Sequence, residues 1–252
     1  MPEQLWITEL LNRWFATTAN AVLSVLHLHA KYPQAPINNA FAMQVFVVTL
    51  LIAFFLLVRA SLSVDSPGVL QHIAEGAEGF VNQQSQEIIG HHGERFTPFL
   101  VILGMFILIS NLIGLVPGFE SPTAFPSVTL GCALLAWFYY QGHGFRHAGI
   151  GYVMHFFGPM DKTMSIWIRL PLAFLMFPIE IFSHLARIMS LTIRLYANMF
   201  AGDLVTLVFF SLIPIGLPIV FLALHIGVSL LQTYIFVLMT TIYLAGAVSE
   251  EH

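Results

Sequence analysis

Apolar stretches long enough to cross a lipid bilayer constrain the fold of this chain more than any other feature. A membrane-spanning helix needs about 20 predominantly apolar residues, and stretches of roughly that length occur at 41–59, 96–116 and 125–141. Two further stretches, 166–212 and 219–248, are longer than one perpendicular crossing requires. The pattern predicts an all-α integral membrane protein with five membrane-spanning segments.

The scarcity of charged residues agrees with this prediction. Only 9% of the 252 residues are charged and 58% are hydrophobic, whereas a soluble domain carries about 25% charged residues. The chain therefore lacks the polar surface of a water-soluble fold, and we interpret residues 1–252 as a single membrane domain in the lipid bilayer. The net charge of −4, with nine scattered Lys and Arg residues, argues against nucleic acid as a partner.

The stretch 166–212 is too long for one perpendicular crossing. At 1.5 Å per residue, a continuous helix over it would be about 70 Å long, twice the hydrocarbon thickness. Either the helix is steeply tilted or it begins outside the hydrocarbon core, and Pro171 and Pro178 can kink it near its start. A segment with Pro and Gly, 213–218, predicts a turn before the last stretch.

The segments outside the spans have their own patterns. In 66–92, apolar residues recur at helical spacing opposite a face of Glu and Gln, which predicts an amphipathic helix on the membrane surface. Residues 1–40 are expected to form an N-terminal segment outside the membrane. Lys and Arg concentrate in cytoplasmic loops, so we place the C-terminus in the cytoplasm and the N-terminus outside. That orientation gives the inner loops these basic residues: Arg59, Arg95, Arg146, Lys162 and Arg169.

Ionisable side chains inside the last two stretches indicate function. Each charge at the centre of a span costs about 2.5–3.5 kcal/mol on insertion scales, and such residues are functional by default. At 100° per residue, Arg187, Arg194 and Asn198 fall within about 40° of Glu180 on one helix face, whereas Asp203 falls on the opposite side from Arg194.

In the predicted hairpin, these residues lie at different depths in the membrane. It brings Asp203 beside His225 near the outer turn, and it brings the deeper Arg194 towards Gln232. Glu180, with Ser183 and Arg187, lies towards the inner side. Two half-paths separated by a fixed positive charge suit a proton conductor, because arginine stays protonated whereas Asp and His exchange protons readily. Arg194 is therefore the predicted barrier between the two paths.

Structural explanations stay open for the other charged residues. Arg187 can extend to the inner interface, Glu180 and Arg187 can form an ion pair, and Asp203 can cap a helix. His225 alone is also compatible with a satisfied core histidine. Five further histidines have no closed ligand set, so the sequence predicts no metal site and no cofactor: His91, His92, His143, His147 and His155.

Two other functional classes were weighed against the proton conductor. A secondary transporter with a buried Arg–carboxylate switch predicts internal repeats with paired broken helices, and the sequence has none. An intramembrane enzyme predicts a nucleophile or metal motif, and neither GxSxG nor HExxH occurs.

Three sequence runs resemble one known family. SLTIRLYANMFAGD (190–203), LQTYIFVLMTTIYLAGAVSEEH (231–252) and NLIGLVPGFESPTA (111–124) are similar to subunit a of bacterial F-type ATP synthases. The resemblance extends from about residue 40 to the end, and the RLxANMxAG core is highly specific. Phe125 departs from the family, in which Asn is common at that position of the loop.

The resemblance implies a fold, partners and site residues. It implies that the last two spans form a long tilted helical hairpin beside a rotating ring of c subunits, each with a mid-membrane carboxylate. Arg194 would face that carboxylate, with Gln232 beside it and Asn198 one turn on. Asp203 and His225 would line the outer half-channel, and Glu180 and Ser183 the inner one. These positions match the family's: Arg194, Asn198, Gln232, Asp203, His225, Glu180 and Ser183.

The resemblance also implies an assembly and a location. The chain would be a non-catalytic stator subunit of the bacterial plasma (inner) membrane, in contact with the c-ring, with the b subunit of the peripheral stalk and with the rest of the ATP synthase. Proton flow would turn the ring, and this chain itself would form no ATP.

Overall fold

The computed structural model describes residues 4–25, 27, 32–63, 67–90, 92–116, 118–149, 166–212 and 216–248. Within these ranges the regular structure is entirely helical, which confirms the predicted all-α class. The α-helices are α1 (Trp6–Val25), α2 (Asn39–Ala60), α3 (Val69–Ile89), α4 (Thr97–Leu112), α5 (Pro126–Ala148), α6 (Ile166–Leu212) and α7 (Leu217–Val248). Single 3₁₀ turns occur at Gly93–Arg95, Ile113–Leu115 and Pro122–Ala124.

Four helices in the described part of the chain are long and apolar enough to cross a membrane. They are Asn39–Ala60, Thr97–Leu115, Phe174–Leu212 and Ile219–Val248, so the chain is a multi-pass membrane protein. The predicted span at 125–141 lies in α5, whose carboxyl half is more polar because it contains Gln141, His143 and Arg146. A fifth crossing through α5 therefore stays a prediction.

Helix α6 is continuous over 47 residues, with Pro171 and Pro178 inside it. It packs against α5 and α7, and α7 also packs against α3, α4 and α5. Residues 213–215, part of the predicted turn, lie outside the described residues, as do Lys162, His91 and His155. The tilt of this helix pair in the membrane stays a prediction.

The core forms where α6 meets α4, α5 and α7. Leu195 and Met199 of α6 and Phe236 of α7 are completely buried there, against Ala133 of α5. Close helix contact depends on small residues: a Cβ at Gly104 of α4 would lie 2.9 Å from Val237 Cγ2 of α7. This core fixes the rotation of α6, because Leu195 directly follows Arg194.

The N-terminal segment contains a helix that the sequence analysis did not predict. The side chain of Asn12 in α1 donates to Ile37 O and accepts from Ile37 N, both at 3.0 Å. Asn39 Oδ1 accepts from Leu5 N at 3.3 Å, and Asn39 Nδ2 donates to Glu120 Oε2 at 3.3 Å. These bonds tie the N-terminal helix to the start of α2, and they tie α2 to the loop between α4 and α5.

Helix α3 covers most of the predicted amphipathic stretch 66–92. Its buried residues are Gln71, Val81, Gln84 and Ser85, and it packs against α4 and α7. Apolar side chains also lie exposed on it, among them Phe80 at 58% and Ile73 at 52%. Exposed apolar residues suit contact with lipid, and the location of α3 on the membrane surface stays a prediction.

Candidate functional site

The structure brings Asp203 of α6 and His225 of α7 together. Their Oδ1 and Nδ1 atoms are 3.9 Å apart. The His225 side chain is only 3% exposed, whereas that of Asp203 is 36% exposed. The carboxylate therefore stands at the surface, with the imidazole behind it in the helix interface.

Gly202 makes room for the His225 ring. A Cβ built at Gly202 would lie 2.8 Å from His225 Nδ1 and 3.1 Å from Cε1. Real Cβ contacts essentially never come this close, so the ring occupies the space that any side chain at position 202 would need. The other ring nitrogen, Nε2, is buried and has no hydrogen-bond partner among the described residues.

Glu120 adds a second carboxylate at this end of the molecule, and the sequence analysis did not select it. It acts electrostatically on Asp203, and Asn39 holds it by the 3.3 Å bond described above. Glu120 lies 83 residues before Asp203 in the sequence, so only the tertiary fold reveals their proximity.

Arg194 lies in the middle of α6, at the edge of the core. It is half-buried, and its Nε atom is buried with no hydrogen-bond partner among the described residues. No described Asp or Glu forms an ion pair with it; the ion pairs of α6 in this part of the chain join Glu180 to His184 and Asp203 to His225. The described residues therefore supply no anion for the Arg194 guanidinium, and an unpaired charge within the apolar part of a membrane is costly.

Asn198 and Gln232 form the polar link between α6 and α7 next to Arg194. Asn198 Nδ2 donates to Gln232 Oε1 at 2.9 Å. Gln232 was expected to meet Arg194, but the bond that it forms is to Asn198. Gln232 Nε2 is buried without a partner among the described residues. One turn earlier on α7, Ser229 Oγ donates to Met199 Sδ at 3.9 Å.

A second group of polar residues lies around Glu180 on α6, at the position predicted to be the inner side. Glu180 Oε1 lies 3.4 Å from His184 Nε2, and His184 Nδ1 lies 3.2 Å from the Tyr140 hydroxyl of α5. Ser183 is half-buried on the same part of α6. The alternative of a Glu180–Arg187 ion pair is not formed; the guanidinium of Arg187 lies 5.0 Å from the centre of the Tyr243 ring.

His184 is a site residue that the sequence analysis missed. It is 8% exposed, and it follows Glu180 by four residues, the spacing that brings side chains together on a helix. The four-residue spacing is enough to predict the contact between Glu180 and His184 from the sequence. The contact with Tyr140 was not readable from the sequence, because it joins two helices 44 residues apart.

One face of α6 is left uncovered by the rest of the described chain. In the most apolar 18-residue stretch of Phe174–Leu212, only 11% is buried, compared with 44% for the corresponding stretch of Thr97–Leu115. We call this surface the exposed face of α6, and Arg194 lies at its edge. Its large apolar residues are Phe182, Leu185, Met189, Ile193, Phe200, Leu204 and Leu207. Its small residues are Ala186, Ser190, Ala197 and Ala201.

Comparison with known proteins identifies the family of this chain. The sequence matches the family described as ATP synthase A chain over residues 41–245. A Koribacter versatilis protein named ATP synthase subunit a is 58% identical over 253 residues, covering 100% of both chains. A Solibacter usitatus protein of the same name is 46% identical over 245 residues, covering 96% of this chain and 100% of that one.

A more distant relative shows the same family. A Sulfurihydrogenibium protein named ATP synthase subunit a is 37% identical over 187 residues, covering 74% of this chain and 86% of that one. These matches confirm the family resemblance of the three sequence runs. The family assignment takes the place of the alternative that the chain is a secondary transporter. The chain therefore belongs to the ATP synthase subunit a family, whose members are non-catalytic subunits of the membrane sector.

Proposed function

We propose that this chain is the proton-conducting stator subunit of its ATP synthase, with two offset half-channels on either side of Arg194. The observation that carries the proposal is Arg194 itself. It stands without a described counter-ion at the edge of an uncovered apolar face. An acid–base group lies on each side of it along α6, Asp203 with His225 and Glu180 with His184. Such a charge needs an anion supplied by a partner within the membrane.

The outer half-channel leads through Asp203 and His225. A proton from outside water binds the half-exposed Asp203 carboxylate and moves through the adjacent imidazole to a carboxylate of the c-ring. Glu120 adds negative potential beside Asp203, which raises the local proton concentration at the entrance. Once protonated, the ring carboxyl is neutral and can face lipid, so the ring is free to turn.

In this proposal, the ring carboxyl loses its proton at Arg194. When a protonated ring carboxyl has travelled round to Arg194, attraction to the guanidinium favours the ionised carboxylate and releases the proton to the inner half-channel. The inner half-channel leads past Glu180 and Ser183. Arg194 cannot take the proton itself, because arginine stays protonated in proteins, so no proton passes directly between the half-channels.

Asn198 and Gln232 have a positioning role in this proposal. Their 2.9 Å hydrogen bond fixes the register of α6 against α7 beside Arg194. It also gives the buried Gln232 Oε1 a donor, which an oxygen in an apolar interface needs. Gln232 Nε2 stays buried without a partner among the described residues.

The proposal also assigns an assembly and an orientation. The c-ring packs on the exposed face of α6, and the b subunit contacts this chain elsewhere. The membrane is the bacterial inner membrane, with the C-terminus in the cytoplasm. The pairing of Asp203 with His225 then lies towards the outside, and Glu180 towards the cytoplasm. Proton flow inward drives rotation with about 2.3 kcal/mol per proton for each 100 mV.

Disulfide cross-linking tests the contact with the ring. Ala197→Cys places a thiol on the exposed face of α6, three residues from Arg194. We expect it to cross-link, in the assembled complex, to a cysteine next to the ring carboxylate, because the two must approach during each release. Leu57→Cys on α2, where Leu57 is 57% exposed, is the control. Cross-linking of Ala197→Cys no stronger than that of Leu57→Cys would contradict the contact.

Removal of the outer carboxylate is expected to slow transport without abolishing it. In Asp203→Ala, His225 remains buried in place and can still accept protons from water, so we expect ATP-driven pumping about tenfold slower, a cost of about 1.4 kcal/mol. Asp203→Glu keeps the carboxylate and is expected to retain most activity. The measurement is acidification of inverted vesicles, and wild-type rates in Asp203→Ala would remove Asp203 from the path.

A further inference from the structure

The His184 imidazole bridges two groups that can exchange protons with it. Its Nε2 lies 3.4 Å from Glu180 Oε1, and its Nδ1 lies 3.2 Å from the Tyr140 hydroxyl. His184 and Tyr140 are buried, at 8% and 2% exposure, whereas the Glu180 side chain is 39% exposed. The histidine is thus a buried neighbour of the Glu180 carboxylate, which the proposed function places in the inner half-channel.

The Tyr140 hydroxyl suits both charge states of this histidine. Neutral imidazole has one ring N–H and one lone pair, whereas imidazolium has two N–H groups. A hydroxyl can donate to the Nδ1 lone pair or accept from Nδ1–H, so Tyr140 remains bonded in either state. A backbone carbonyl, which only accepts, would instead fix Nδ1 as a donor. The partner of a purely structural histidine has no need of this property.

Resting on the proposed function, we propose that His184 is a proton-carrying residue of the inner half-channel, paired with Glu180 and positioned by Tyr140. A proton released near Arg194 reaches His184 Nε2 through water and gives an imidazolium. The imidazolium passes this proton from Nε2 to the Glu180 carboxylate, leaving neutral imidazole and a carboxylic acid. The acid releases its proton to inner water, so each group ends as it began.

The charges around His184 support a transient carrier. Among the described residues, the charged and titratable side chains near His184 include Glu180 and Arg187 on α6, Tyr140 on α5 and, beyond Tyr140, Tyr243 on α7. Glu180 attracts an imidazolium and Arg187 repels it. Burial opposes the imidazolium more than Arg187 does, so a proton taken up by His184 is readily passed on to Glu180. The stacking of Arg187 on Tyr243 holds the repelling charge in place.

Passive proton flux through the membrane sector of intact complexes tests the role of His184. His184→Gln keeps an amide of similar reach but cannot be protonated. We expect its flux to be about tenfold lower at neutral inner pH, equivalent to about 1.4 kcal/mol. Wild-type flux should show an inflection with inner pH that reports protonation of the His184 imidazole, and this inflection should disappear in His184→Gln. Tyr140→Phe should lower the flux but keep the inflection.

His184→Asn, assayed per assembled complex in the same way, repeats the test with a shorter amide. His72→Gln is the matched control, because His72 is exposed on α3, and its flux should equal the wild type. Unchanged flux and an unchanged inflection in both His184 variants overturn this inference. If Arg194→Ala still abolishes coupled pumping in that case, the proposed function stands without it. If Arg194→Ala pumps normally, the proposed function itself fails.

Discussion

Arg194→Ala is expected to abolish ATP-driven proton pumping completely. In the variant nothing draws the proton from the ring carboxyl, since the guanidinium that favours the carboxylate is gone. The fixed charge between the half-channels is also gone, so we expect protons to leak passively between Asp203 and Glu180. Vesicle acidification measures the first effect and decay of an imposed pH gradient measures the second.

The same substitution should leave assembly intact. Arg194 has no described ion-pair partner, and its Nε is buried without a hydrogen bond. Its removal therefore eliminates an uncompensated charge, which costs about 2.5–3.5 kcal/mol on insertion scales. Arg13→Ala is the matched control, because Arg13 is exposed on α1 and should be dispensable for pumping. Normal pumping by Arg194→Ala would refute the role of Arg194 as the essential charge.

Arg194→Lys separates charge from geometry. Lysine keeps a positive charge but has a compact ammonium group that deprotonates more readily when desolvated. We expect coupled pumping to be strongly reduced but the passive leak to stay smaller than in Arg194→Ala. Equal leaks in the two variants would show that the positive charge is not the barrier.

Gly202→Ala is expected to have the second largest effect, at least a tenfold loss of pumping. Its Cβ would lie 2.8 Å from His225 Nδ1, so the ring must move away from Asp203. The obstacle is a side chain and not backbone, so the helices can stay packed while the outer half-channel is broken. A change in helix propensity cannot explain a loss, because Gly to Ala in a helix gains about 1 kcal/mol.

Gly227→Ala provides the control for this substitution. Gly227 lies on α7 two residues from His225, and a Cβ there would meet nothing within 4 Å. The two variants make the same chemical change on adjoining helices, and we expect Gly227→Ala to pump at the wild-type rate. Equal activities of the two variants would indicate that the position of the His225 ring is unimportant.

The sequence predicted those parts of the site that follow from helix periodicity and from one hairpin. The apolar run 166–212 coincides with α6, because an uninterrupted apolar pattern in lipid forms a helix. Asp203 and His225 were expected to meet because both lie near the same turn, and the structure places them 3.9 Å apart. Antiparallel geometry alone was enough for that expectation.

Contacts between helices far apart in sequence were not predictable in this way. Tyr140 reaches His184, and Glu120 approaches Asp203, only because α5 and the preceding loop pack beside α6. The bond of Gln232 to Asn198 depends on a small rotation between α6 and α7 that a count of residues does not resolve. Helix α1 was missed because its apolar residues are interrupted by polar ones such as Asn12, which bonds to Ile37.

The small residues of the exposed face of α6 have a mechanical consequence. Ala186, Ser190, Ala197 and Ala201 lie on the same side of Arg194, within about 80° of it around the helix. Interlocking helices gain stability when large side chains insert into the spaces of a neighbour. Three alanines and a serine form only shallow grooves on the helix surface. The side chains of a neighbouring helix would therefore interlock with them only weakly. Beside Arg194, α6 therefore has a smooth surface along which a neighbouring helix could slide.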